Sequence, residues 1–289
     1  MVSQPPIEYL VEHPNPVLSI CICHIQSRAA KFKRLTNILR SQVTPTLKLP
    51  VEILVSADNR EHTSGSKRHA LSVASKGKYI SFVDDDDTVT DDYVEDILDA
   101  AASEPEVITF YVLVDHQDVT TEKTYRLNIH TLDVPHDLER RGVQNDPDYG
   151  KLILVGMLPS HLNAWRRDIQ RKVAYNPDLN CQDDAAWIGP LMNSGFVTQE
   201  VHLEKILYNY EFSIKNTVNQ NPAAQKNAKH RVKSGLECFK NSDSIFIAVN
   251  PIDVTKEQSV VVCRDNDNNL VDITRSEFEQ YHTYTVPYS

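Results

Sequence analysis

The stretch Tyr79-Ile-Ser-Phe-Val-Asp-Asp-Asp-Asp87 decides how this 289-residue chain is interpreted. It begins as an apolar segment of strand length and ends in four consecutive carboxylates. Adjacent anions repel one another, so folding alone does not favour such a run. Open α/β sheets bind their ligands beyond the carboxyl ends of the strands, where a divalent cation would compensate this charge. The run therefore predicts a metal site at a sheet edge.

Strands and helices alternate on both sides of this run. The spacing of apolar residues predicts a helix over 31–42 and a second, short helix that ends at Gly77. A third helix is predicted through Ser103, with Thr90 as its N-cap. The predicted strands are 17–24, 51–56, 78–83 and 107–114. Such alternation favours an α/β fold with a Rossmann-like, mostly parallel central sheet flanked by helices on both faces.

The pattern is weaker after residue 114. Polar loops and short strands are expected over 115–159, and Pro190 is expected to end or kink any helix in the segment 183–193. The later predicted elements are a strand at 196–210, a basic helix at 222–240, and short strands at 259–264 and 270–274 around a turn at 265–268. We expect the last part of the chain to form a small C-terminal appendage.

Composition limits the classes of protein that fit. The formal net charge of −10 argues against a chain that mainly coats nucleic acid or an anionic membrane. Residues 1–16 lack the apolar core of a signal peptide, and no segment approaches the roughly 18 apolar residues of a membrane span. We therefore expect a cytoplasmic protein with no membrane span. Five scattered cysteines without a CxxC pair indicate reduced thiols.

Further polar residues are predicted at the same sheet edge as the acidic run. A cation held there would favour a diphosphate ligand, because a hard divalent ion bridges carboxylate and phosphate oxygens. Asp58 follows the strand 51–56, so its carboxylate could accept hydrogen bonds from a nucleobase or ribose. Lys67 and Arg68, at a helix start just after Gly65, could complete a nucleotide cradle.

These segments together resemble a known family. VLSICICHIQSR, VEILVSADN, GSKRHALSVASKGKYISFVDDDD and DDYVEDIL resemble, in this order, the nucleotide-binding half of GT-A fold, family 2 glycosyltransferases. The resemblance covers roughly residues 17–103 and places the DxD signature on Asp84-Asp85-Asp86. It implies that Asp86 ligates Mn²⁺ or Mg²⁺, and that Asp84 and Asp85 meet the donor, with Asp84 also near the metal. Asp58 would be the family's first nucleotide-contacting acid.

Inverting members of the family also use a downstream acidic pair, whose carboxylate deprotonates the acceptor hydroxyl. The matching segment is Cys181-Gln-Asp-Asp-Ala-Ala-Trp187, which has Asp-Asp in place of Glu-Asp. We prefer Asp184 as the base, with Asp183 as the alternative, although the two could simply cap a helix. Trp187 could stack on an acceptor ring. His161 follows Leu158-Pro-Ser160, where an active-site loop is expected, and is a candidate third metal ligand.

The resemblance implies a hexosyl- or pentosyltransferase that moves a sugar from a nucleoside diphosphate sugar, expected to be a UDP-sugar, to an acceptor hydroxyl with inversion. The expected parts are an extension (1–16), a nucleotide-sugar-binding half (17–114), an acceptor-binding and catalytic half (115–213), and a helix with a small β appendage (214–289). The sequence does not identify the acceptor, which could be a glycan, a protein, a lipid or a modified nucleobase. The oligomeric state also stays open.

Two other function classes compete with this interpretation. Asp84-Asp-Asp-Asp-Thr88 fits the DxDxT pattern of a haloacid-dehalogenase-like phosphatase, in which Asp84 would be the nucleophile. That motif normally opens its domain, whereas two strand-helix units precede it here. The third class is a non-catalytic protein that binds a sugar nucleotide, and the replaced Glu of the acidic pair is the sequence feature that favours it.

Overall fold

A computed structural model describes residues 4–44, 47, 49–116, 124–134, 143–180 and 182–212, with strand residues 237–241, 244–248, 260–264 and 270–274. The chain divides into two units, Met1–Ser213 and Ile214–Ser289. The first contains an 11-stranded sheet, and the second contains a four-stranded sheet. The described residues contain no helix that is both long and apolar enough to cross a membrane.

The elements of the first unit follow the alternation expected from the sequence. The strands are β1 (Glu8–Val11), β2 (Leu18–Ile25), β3 (Val51–Asp58), β4 (Tyr79–Phe82), β5 (Thr88–Val89), β6 (Val107–His116), β7 (Thr124–His130), β8 (Val143–Asp146), β9 (Gly150–Met157), β10 (Ala164–Arg166) and β11 (Glu200–Phe212). The helices are α1 (Ala29–Gln42), α2 (Ser64–Ala74), α3 (Tyr93–Ala101), α4 (Arg167–Gln170) and α5 (Asp183–Asn193).

The sheet is mixed, with a parallel centre. Its order is β1-β3-β2-β4-β10-β6-β7-β9-β8, and β11 lies beside β6 and β5. Strand β2 pairs parallel to both β3 and β4, and β11 pairs parallel to β6. Strand β10 runs antiparallel between β4 and β6. Ile25 is paired with Asp58, so the carboxyl ends of β2 and β3 reach the same edge.

Helices cover both faces of this sheet, as predicted. Alternate residues of a strand point to opposite faces. In β2, Leu18, Ile20 and Ile22 pack in the cluster that contains buried residues of α1 and α3, whereas Cys21 packs in the cluster that contains buried residues of α2, α4 and α5. Each fully buried large aliphatic side chain stabilises the fold by about 1.5–3 kcal/mol. The strand-helix alternation therefore closes into a layered α/β core.

Two helix boundaries and one proline differ from the sequence prediction. Helix α3 begins at Tyr93 and not directly after Thr90, whose hydroxyl donates to Asp92 Oδ1 at 2.6 Å. Helix α2 ends at Ala74, three residues before Gly77, which was predicted to end it. Helix α5 continues through Pro190 to Asn193, so Pro190 does not end it.

The described residues of the second unit form four antiparallel strands, which are β12 (Glu237–Asn241), β13 (Ser244–Ala248), β14 (Val260–Arg264) and β15 (Leu270–Thr274). The strands predicted at 259–264 and 270–274 are confirmed as β14 and β15. The helix predicted over 222–240 is wrong for residues 237–240, which pair with β13. Residues 222–236 and the predicted turn at 265–268 lie outside the described residues.

Gly65 lets the start of α2 approach the segment that leads into α5. Its amide donates to the Leu179 carbonyl at 2.9 Å, and a Cβ at this position would lie 2.0 Å from the Asn176 carbonyl oxygen. We expect Gly65→Ala to lower the stability of the first unit by about 1–3 kcal/mol through overpacking. Thermal denaturation measures this effect.

The control is Gly189→Ala in α5, where an added Cβ would meet nothing within 4 Å. Gly189 precedes Pro190, which disfavours helical backbone for a residue with a Cβ, so this variant should lose some stability but less than Gly65→Ala. Equal Tm values for both variants would contradict the close-approach argument.

Candidate active site

Arg68 is the centre of the polar cluster at the carboxyl edge of the sheet. It lies in the second turn of α2, and only 9 % of its side chain is exposed. One guanidinium nitrogen, Nη1, lies 2.5 Å from Asp183 Oδ2. The other, Nη2, lies 2.9 Å from Asp84 Oδ1 and 3.1 Å from His161 Nε2. Arg68 therefore connects the end of β4, the start of α5 and the loop before β10.

The acidic pair divides into a buried and an exposed carboxylate. Asp183 is 3 % exposed and accepts hydrogen bonds from Arg68 and from Ser64 Oγ at 2.8 Å. Asp184 is 42 % exposed, and its Oδ2 lies 3.7 Å from His161 Nδ1. Burial would raise the pKa of Asp184, but His161 and Arg68 hold it below its ordinary value. Asp184 is thus the ionised member that an incoming molecule can reach.

The four carboxylates after β4 alternate between inward and outward positions. Asp85 and Asp87 face inward. Asp85 accepts from His24 Nδ1 at 2.8 Å and from the Ile25 amide at 2.9 Å, and Asp87 accepts from Tyr208 Oη at 2.7 Å. These two side chains fasten the ends of neighbouring strands to one another. Burial, with the charges of nearby carboxylates, raises the pKa of Asp87 well above its ordinary value.

Asp84 and Asp86 are the outward pair, with 27 % and 19 % of their side chains exposed. Burial would raise the pKa of Asp84, but Arg68, His161 and Arg28 together keep it below its ordinary value. Asp86 lies 2.8 Å from Arg28 Nη1. Burial, together with the charges of Asp84 and Asp85, nevertheless raises the pKa of Asp86 to about 6. The raised pKa of Asp86 thus reflects chiefly the burial of its carboxylate.

This arrangement fits a divalent cation that arrives with a phosphate ligand. Within the described part of the chain, no three His, Cys, Asp or Glu side chains form a ready metal cluster. Mg²⁺ is commonly held by one or two carboxylates and the phosphates of the substrate. Asp84 and Asp86 can supply those carboxylates, because both side chains are partly exposed at the edge of the sheet.

Asp58 and Lys67 contact each other and the ends of the parallel strands. Lys67 Nζ is paired with Asp58 and donates to the His24 carbonyl at 2.8 Å. Asp58 also accepts from the amides of Arg60 and His62 at 3.0 and 2.9 Å. Although burial opposes it, these hydrogen bonds lower the pKa of Asp58. Both side chains lie at the predicted edge, and both are engaged by the protein itself.

Trp187 lies away from this edge, in the core. Its side chain has no exposed surface, it stacks on Tyr175 with ring centroids 5.0 Å apart, and it packs edge-on against Trp165. Its indole nitrogen donates to the Gln170 carbonyl at 3.2 Å. Stacking on an acceptor would require the core to open, so the structure gives Trp187 a packing role and not the predicted contact with an acceptor.

Residues 34–169, which carry most of these side chains, match the model of glycosyl transferase family 2. This segment is a glycosyl transferase family 2 domain. The match includes Asp58, Arg68, Asp84, Asp86 and His161, and it ends before the acidic pair. With the sheet order above, it confirms the GT-A fold predicted from the sequence and favours a glycosyltransferase over the phosphatase alternative.

No curated protein matches the chain. Among solved structures, S. aureus TarS 1–349 is similar with a TM-score of 0.46 and 12 % identity, covering 74 % of this chain and 63 % of that one. The same TarS fragment in complex with UDP-GlcNAc gives a TM-score of 0.47 and 11 % identity, covering 73 % and 65 %. The complex with UDP gives 0.47 and 12 %, covering 74 % and 63 %. The chain thus spans less than two thirds of the length of TarS 1–349.

Two residues near the carboxylates of the family 2 domain had no role in the sequence prediction. Arg28, just after β2, pairs with Asp85 and Asp86 at 2.9 and 2.8 Å. Burial, together with the charges of Asp87 and Asp84, raises the pKa of the Tyr210 phenol in β11. The position of Arg28 just after β2 could have indicated from the sequence that its side chain lies at the carboxyl edge of the sheet. The segment Leu207-Tyr-Asn-Tyr210 resembles a late Leu-Tyr-x-Tyr strand of the family, but the approach of Tyr210 to the carboxylates depends on how β11 enters the sheet.

Proposed function

We propose that this protein is a metal-dependent glycosyltransferase that transfers a hexosyl or pentosyl group from a nucleoside diphosphate sugar, a UDP-sugar in the first instance, to an acceptor hydroxyl with inversion. One observation carries the proposal: the Arg68 guanidinium joins Asp84 at the end of β4 to Asp183 at the start of α5. It thereby places the half-exposed carboxylate of Asp184 beside the edge where the donor would bind.

The donor side is formed by the outward carboxylates. Asp86 and Asp84 would hold Mn²⁺ or Mg²⁺ together with the diphosphate. When bound, such an ion stabilises the negative charge of the departing diphosphate. Asp85 would support this site indirectly. Its hydrogen bonds with His24 and Arg28 fix the backbone between Asp84 and Asp86. Asp58 and Lys67 would shape the nucleotide end of the same edge.

The acceptor side is formed by Asp184. As the acceptor oxygen bonds to the anomeric carbon, the bond from that carbon to the diphosphate oxygen breaks and the hydroxyl proton passes to the Asp184 carboxylate. The leaving electron pair stays on the nucleoside diphosphate, and attack from the opposite face inverts the anomeric centre. A carboxylate with a lowered pKa is ionised at neutral pH and ready to accept that proton. The acceptor can be a glycan, a protein, a lipid or a modified nucleobase.

The test is the Asp86→Ala variant. In a thermal-shift assay we expect Mn²⁺ and a UDP-sugar to stabilise the wild type but not this variant, because the cation loses one of its two carboxylate ligands and a bound ligand stabilises only the fold that binds it. Sugar transfer should fall with it. Asp91→Ala, which removes an exposed carboxylate beside α3, is the matched control and should behave as wild type. Full transfer activity in Asp86→Ala would contradict the proposal.

A further inference from the structure

His161 lies between the two sides of the proposed site. Its Nε2 is 3.6 Å from Asp84 Oδ2, and its Nδ1 is 3.7 Å from Asp184 Oδ2. The ring is 9 % exposed, so water does little to replace these contacts. The imidazole therefore bridges the space between a donor-side and an acceptor-side carboxylate.

The contact with Arg68 fixes which nitrogen of His161 carries the proton. Arg68 Nη2 lies 3.1 Å from Nε2. A guanidinium is always protonated and can only donate, so Nε2 accepts this hydrogen bond. The proton of the neutral ring is then on Nδ1. Nδ1 is buried without a hydrogen-bond partner, and the nearby acceptor is Asp184.

The loop that carries His161 is built to hold the ring in place. Asn163 Oδ1 lies 2.8 Å from His130 Nδ1 and accepts from the Ser160 amide, also at 2.8 Å. The Trp165 indole donates to the Ser160 carbonyl at 2.8 Å. Burial lowers the pKa of His130 to about 4, so this anchor stays uncharged at neutral pH. A loop fixed on both sides of residue 161 leaves little freedom for its side chain.

We infer that His161 is a positioning residue: it donates from Nδ1 to the Asp184 carboxylate and orients that carboxylate toward the acceptor hydroxyl. The inference rests on the proposed function. It also replaces the metal-ligand role that the sequence suggested for His161, because the Nε2 lone pair faces Arg68. Asp184 needs to approach by less than 1 Å to form a hydrogen bond of ordinary length with Nδ1.

Three substitutions of His161 distinguish the role of Nδ1 from that of Nε2. The side-chain amide of His161→Asn can place a donor near the Nδ1 position, His161→Gln extends a donor toward the Nε2 position, and His161→Ala removes both. We expect kcat to fall about 10- to 100-fold in the Ala and Gln variants, as misplacement of a reacting group by about 1 Å can do. The Asn variant should recover most of kcat. His13→Asn, in the segment before β2 and away from the carboxyl edge, is the control.

Donor binding provides the readout that does not depend on turnover. If His161 acts on Asp184, UDP-sugar binding measured by calorimetry and its dependence on Mn²⁺ concentration stay at wild-type values in all three variants, while kcat changes. A metal ligand would behave differently, because every substitution would raise the Mn²⁺ concentration needed for binding. That result, or equal kcat loss in the Asn and Gln variants, would overturn the inference.

The Asp184→Asn variant shows whether the role of His161 or the proposed role of Asp184 as the base is wrong. If Asp184→Asn abolishes turnover but His161→Ala is fully active, only the role of His161 is wrong. If Asp184→Asn is fully active, the proposed base itself is wrong and His161 has no carboxylate to position.

Discussion

Replacing Asp184 with asparagine is expected to lower kcat by about 10²–10⁴-fold, the range that a general base contributes to proton transfer. Asparagine has nearly the same shape but cannot accept the hydroxyl proton. The side chain is 42 % exposed and forms no short ion pair, so the fold should tolerate the change. Steady-state kinetics with a UDP-sugar measure kcat, and the binding of the donor to the variant should match the wild type.

Two neighbouring substitutions sharpen this result. Asp178→Asn removes an exposed carboxylate six residues earlier and should leave both kcat and Tm unchanged. Asp183→Asn weakens the buried pair with Arg68, so its Tm should fall while part of the turnover survives. If Asp183→Asn instead eliminates turnover in a folded protein and Asp184→Asn is active, the base is Asp183.

Replacing Arg68 with methionine is expected to destabilise the first unit by about 3–5 kcal/mol, the usual effect of removing one partner from a buried ion pair. Methionine fills a similar volume but leaves Asp183, which is 3 % exposed, without its cation. Asp84 and His161 also lose their contacts with the guanidinium. Thermal denaturation measures the loss of stability, and sugar transfer should disappear in the same variant.

Lys205→Met is the matched control for Arg68→Met. Lys205 also contacts two carboxylates, those of Asp92 and Asp96, but its side chain is 50 % exposed. Exposed ion pairs contribute little because water screens them. The control should therefore keep a Tm near the wild type. Equal losses of stability in the two variants would show that Arg68 does not hold the buried network together.

Several features of the site were accessible from the sequence because they depend on position along a strand. An apolar strand that ends in carboxylates places them at the carboxyl edge of the sheet. The register of β2 against β3 and β4 brings the ends of these strands to that edge. Lys67 and Arg68 follow Gly65 at the start of α2, so they also reach this edge. Their places were predictable, although their partners were not.

The roles within each motif could not be read from spacing. Asp85 and Asp87 differ from Asp84 and Asp86 because alternate side chains turn inward to meet residues from β2 and β11, which are distant in the chain. Trp187 illustrates the same limit. One helical turn after Asp183, it could have faced the site, but the packing of α5 against Trp165 and Tyr175 turns it into the core.

By itself, the order of strands, helices and acidic segments determined the fold class, the GT-A resemblance and the edge of the sheet where the polar residues gather. Local periodicity and the requirement to bury apolar faces are properties of short segments, so a single sequence carries them. Only the tertiary structure decided that Arg68 joins Asp84 to Asp183 and that His161 lies between Asp84 and Asp184. Those contacts join residues as many as 115 positions apart, and their geometry depends on how buried charges compensate one another after the sheet and helices have packed.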